Sequence, residues 1–95
     1  MYAVIFKAET GELDEVYFEK AKRLRELAET KYGCREFISF NEGNRELSIS
    51  YWDTLEQINH WKQDAEHIKA QEMGRRKWYR RYRIQVVEIL RDYTD

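Results

Sequence analysis

Two segments near the ends of the chain are apolar on both of their alternating faces, and this constrains the fold more than any other feature. In residues 2–8, Tyr2, Val4 and Phe6 fall on one face, with Ala3 and Ile5 on the other. In residues 82–91, Ile84, Val86, Val87, Ile89 and Leu90 leave neither face polar. A strand that meets water on one side alternates apolar with polar residues, so these two strands are covered on both sides. The chain has 95 residues, enough for a single domain over residues 1–95 with a limited core. A second copy of the chain is the economical cover for the face its own helices leave bare, so a homodimer is expected.

The segments between the two strands supply the rest of the fold. Gly11 marks a turn, and Asp14 is placed to cap a helix on which Tyr17, Ala21, Leu24 and Ala28 recur at helical spacing. Gly33 stands where a left-handed helix end belongs. Residues 35–41 and 45–52 read as two strands joined by the turn Asn41-Glu42-Gly43-Asn44. On the second of them Leu47, Ile49 and Tyr51 alternate with Ser48, Ser50 and Trp52. Asp53, with Glu56 three residues on, has the spacing of a capping box for a second helix carrying Leu55, Ile58 and Trp61. Asp64 is a poor interior residue and a good cap, so it is expected to break that helix before a further helical stretch that ends near Lys77. The order β-α-β-β-α-β is an α+β, ferredoxin-like arrangement: a four-stranded antiparallel sheet with its helices on one face.

Composition narrows the function classes. A net charge of −1 gives the whole chain no general attraction to nucleic acid or to an anionic membrane. No apolar run approaches the ~20 residues that span a bilayer, and the N-terminus reads as a strand rather than a signal peptide. Cys34 is the single cysteine, which excludes an internal disulfide and a multi-cysteine metal site and suggests the reducing cytoplasm. Cys34 reads as a small buried hydrophobe and His60 as solvent-facing. Residues 75–83 hold six basic side chains and no acid, interleaved with Trp78, Tyr79 and Tyr82. Such spacing can bind single strands or anions, but a basic helix end paired with nearby acids is the better account, and no nucleic-acid partner is expected. Aromatic residues make up 15% of the chain, a surplus for so small a core that suggests a pocket or an interface.

The Tyr51-Trp52-Asp53 strand end, the stretch Trp61-Lys62-Gln63-Asp64-Ala65-Glu66-His67 and the Tyr-rich entry to the last strand resemble the antibiotic-biosynthesis-monooxygenase (ABM) family over nearly the whole chain. That resemblance implies a dimeric α+β barrel. It also implies one of the family's activities, which include cofactor-independent oxygenation of aromatic polyketides and heme degradation. The heme-degrading branch has a His about ten residues after the Trp and an Asn near the end of the first strand. Here Gln71 and Lys7 stand at those positions, so heme is not expected, nor any other cofactor or metal. The polyketide branch has an Asn before the Trp, a Tyr after it and an Arg further on. Their counterparts are Gln57, His67 and Arg81.

The expectation is therefore an ABM-type monooxygenase acting on a small aromatic or enolisable compound, with a non-catalytic ligand-binding or protein-interaction module as the alternative. Such oxygenation needs a group that removes a proton and groups that hold the resulting anion. His67 is the candidate base. Trp61 would stack on a ring, while Gln57 and Arg81 would complete the pocket. Positions 57 and 61 share a helix face, but 67 joins them only if the helix breaks at Asp64.

Overall fold

The computed structural model describes residues 1–95. Strand β1 (Tyr2–Thr10) leads to helix α1 (Glu15–Thr30), strands β2 (Glu36–Glu42) and β3 (Arg45–Trp52), helices α2 (Leu55–Gln63) and α3 (Ala65–Met73), and strand β4 (Tyr79–Glu88). One π-helical turn, Gly74–Trp78, joins α3 to β4. The sheet order is β2-β3-β1-β4 with every pair antiparallel, which is the ferredoxin-like arrangement the periodicities predict.

Local chemistry explains most boundaries. Asp14 caps α1 by accepting from the Tyr17 N–H at 2.9 Å. Its carboxyl is held below the usual range, chiefly by the Lys77 ammonium. Gly33, at φ 85°, turns the chain out of α1. The cap of α2 lies one residue later than Asp53. Thr54 accepts from Gln57 N–H, and Gln57 Oε1 accepts in return from the N–H groups of Asp53 and Thr54. Asp53 is engaged elsewhere, as the carboxylate partner of Arg35. The last strand starts at Tyr79, earlier than residue 82, because the π-helical turn ends the helical region at Trp78.

The core lies between the helices and one sheet face, where Val4, Leu27, Ala28, Cys34, Trp52, Ile58 and Trp61 form a buried cluster. Strand parity places Tyr2, Val4, Phe6, Ser48, Ser50, Trp52 and Ile84 on this inner face. The outer face carries Ile5, Ile49 and Ile38 in one cross-strand row, and Leu47 and Phe40 in the next. Val87 pairs with Ala3 on the same side. No helix covers these residues, and Phe40 is 67% exposed. No helix is long and apolar enough to cross a membrane.

Candidate functional site

Helices and sheet do not close completely on each other. They leave a cavity of about 310 Å³ walled by Phe6, Tyr17, Leu24, Phe37, Trp61, Trp78, Tyr79 and Tyr82, with Glu46, Ser48 and His67 among its few polar groups. The volume falls at the lower end of the ~300–1,000 Å³ typical of small-molecule sites, and the lining is mostly apolar, as in such sites.

Asp64 brings His67 to this wall. It ends α2 and starts α3 with φ −59° and ψ 137°, and its carboxylate accepts from the Glu66 N–H at 2.8 Å. The Tyr32 hydroxyl donates to the same carboxylate at 2.5 Å and fixes the break against α1's C-terminal end. Beyond it His67 stands edge-on to Trp61, with ring centroids 4.5 Å apart and planes at 83°. Trp61 is held in turn by its indole N–H, which donates to the Leu24 carbonyl at 3.1 Å. Burial lowers the His67 pKa below its ordinary 6.5, and the charge of Lys62 lowers it further. The imidazole is thus neutral at pH 7, and its Nδ1 is buried without a hydrogen-bond partner.

A second polar group in the cavity wall is one that the sequence reading passed over. Glu46 is 7% exposed on the inner face of β3. The Tyr17 hydroxyl donates to its Oε1, while its Oε2 is buried without a partner. Burial raises the Glu46 pKa, opposed by the phenol of Tyr17 and then that of Tyr79. The phenols of Tyr17 and Tyr79 are themselves pushed well up, first by burial. The signal was in β3: its apolar residues Leu47, Ile49 and Tyr51 alternate with Glu46, Ser48 and Ser50. Only the three-dimensional arrangement tells which of the two sets faces the helices.

The other two expected pocket residues lie elsewhere. Gln57 is consumed in the cap of α2, with its side-chain amide against Gly33, so it does not reach the cavity. Arg81 has outer-face parity, stays in solvent and pairs with Glu9 at 3.4 Å. Trp61 and His67 are brought together, and Gln71 joins them on the cavity wall. Lys7 lies exposed on the opposite sheet face. No three His, Cys, Asp or Glu side chains gather as a metal site.

Over 89 residues, 93% of this chain and 78% of the other, the sequence is 40% identical to the uncharacterized protein YqjZ of Bacillus subtilis. The chain belongs to the YqjZ family. No family model matches it. Solved structures place this YqjZ relative among proteins of ABM fold. SnoaB of Streptomyces nogalater, described as a cofactor-independent oxygenase, superposes with a TM-score of 0.81 at 7% identity, covering 99% of this chain and 97% of SnoaB. Rv0793 of Mycobacterium tuberculosis gives 0.83 at 10% identity, covering 98% of each chain. An antibiotic biosynthesis monooxygenase gives 0.80 at 9% identity, with 96% of this chain and all of that one covered. At such identities the likeness is one of fold.

Proposed function

We propose that this protein is a cofactor-independent monooxygenase for a small aromatic or otherwise enolisable compound. The observation that carries the reading is the aromatic cavity into whose wall Asp64 turns a neutral, unpartnered imidazole beside Trp61. Its ABM fold, shared with the cofactor-independent oxygenase SnoaB, supports the same reading. His67 takes the acidic C–H proton of the bound substrate, and Trp61 holds the ring. The carbanion passes an electron to O₂, a C–O bond forms from the radical pair, and loss of water from the peroxide leaves a carbonyl. The net change converts CH₂ and O₂ to C=O and H₂O, so O₂ is the oxidant and no other electron donor is needed. The working unit is a homodimer, with the outer-face apolar rows of β1, β2 and β3 from two sheets packed together, and the single buried thiol of Cys34 fits a reducing cytoplasm.

Anthrone incubated with chelator-treated protein under ¹⁸O₂ tests this reading. Anthraquinone carrying one new ¹⁸O per turnover, at a rate above the buffer blank, is the expected result. Anthrone that binds the protein and is recovered unchanged would make it a ligand-binding module instead.

A further inference from the structure

The cavity is polar at two places of opposite character. Inside, Glu46 is the only carboxyl among the lining residues, and its Oε2 is buried and unpartnered. At the exposed margin the charged lining residues are all basic: Lys20, Lys22, Arg25 and Lys62. Arg25 is neutralised by Glu29, but none of the three lysines forms an ion pair. A carboxyl buried among aromatic rings is least unfavourable when protonated, and it is then a hydrogen-bond donor. Tyr17 already donates to Oε1, and the Tyr79 phenol lies beside the carboxyl without closing a hydrogen bond to Oε2, so the carboxyl's own proton is left for Oε2. The raised pKa of Glu46 agrees with this assignment.

We propose that the cavity recognises an aromatic compound with two distinct polar ends: a carbonyl oxygen that accepts a hydrogen bond from Glu46, and an anionic group held at the margin by Lys22 and Lys62, the two exposed lysines of the three. This assignment rests on the oxygenase reading only in placing a ring in the cavity, and it holds for binding without turnover. A carboxylate entering first would meet a buried acid and lose its hydration with no cation to replace it, so the orientation is fixed. The carbonyl end is buried near Glu46 and the charged end stays in water.

Calorimetric titration with three probes tests the proposal: anthraquinone-2-carboxylate, anthracene-2-carboxylate, which lacks the carbonyl, and 2-(hydroxymethyl)anthraquinone, which lacks the charge. The quinone carboxylate should bind about tenfold more tightly than the hydrocarbon carboxylate, the worth of one hydrogen bond. Glu46→Ala should abolish that preference, while Glu46→Gln, which keeps an acceptor for Tyr17 and an N–H donor, should retain most of it. The double variant Lys22→Gln/Lys62→Gln should weaken the two carboxylates about tenfold at low salt and leave the neutral quinone unchanged. Equal affinities of the quinone and hydrocarbon carboxylates for the wild-type protein would overturn the role of Glu46. So would a preference that persists in a folded Glu46→Ala protein, or one that Glu46→Gln loses as completely as Glu46→Ala. Salt-independent binding of the carboxylates, or a double variant that binds them as the wild type does, would overturn the role of the lysines. If none of the probes binds, the pocket reading itself falls, and this inference with it. If they bind without discrimination, only the inference falls.

Discussion

His67→Ala should lower the turnover of anthrone by about a hundredfold or more, the worth of a positioned general base, while the dissociation constant changes by about threefold or less. The asymmetry follows from geometry. The imidazole meets Trp61 edge-on, so its removal takes little of the ring surface on which a ligand stacks. His67→Gln, which fills more of the same space without a basic nitrogen, should lose as much activity. The pH profile adds a second readout. Burial, then the charge of Lys62, lowers the imidazole pKa, with Asp64 opposing. The rate should therefore stay level as pH falls to 6.5 and decline only through a lower value. Stability should follow the same sign: the unfolded chain takes up the proton first, so stability present above 6.5 is lost as pH falls through the folded-state pKa. His67→Gln should flatten that loss in thermal melts taken below pH 6.5. Full activity of His67→Gln, or an acid limb centred above 6.5, would remove His67 as the base.

Ile49→Arg should convert a dimer into monomers at micromolar concentration. Ile49 sits mid-sheet on the outer face, paired across to Ile5 on one side and Ile38 on the other. Leu47, Phe40, Tyr51 and Val87 surround that row on the same face, with no helix over them. Face-to-face packing of two such sheets should bury roughly 2,000 Å² or more in total. A guanidinium at its centre would be desolvated among these apolar side chains, and two-fold symmetry would place it there twice. The dissociation constant should rise by about a hundredfold or more, while the monomer keeps its fold because the substitution touches no inner-face contact. Sedimentation velocity distinguishes the outcomes. A wild-type protein that sediments as a monomer, or a variant that remains dimeric, would contradict the packing.

The fold was legible because each element announces itself by a local rule. Tyr17, Ala21, Leu24 and Ala28 repeat at helical spacing, Asp14 and Gly33 bound their helix, and Asp64 breaks the next one where a capping side chain is poor in a helix interior. The site was less legible because its members are set by side-chain competition and strand parity. Gln57 shares a helix face with Trp61 but is captured by the backbone of Asp53 and Thr54, since the cap falls at Thr54. Arg81 and Tyr82 are neighbours, and the alternation sends one to solvent and the other to the cavity. Glu46 looks in the sequence like an ordinary charged residue beside a turn. Its burial depends on the serine-rich side of β3 facing the helices while the isoleucine side faces outward. Apolarity alone suggests the reverse.

With two histidines in the chain, ¹⁵N NMR of the imidazoles gives the most direct view of the proposed site. Titration with anthraquinone-2-carboxylate at pH 7 should shift the ring nitrogens of His67 and leave those of exposed His60 in place. A saturable ligand that leaves the His67 signals unmoved would contradict the assignment of this cavity as the place where substrate meets its base.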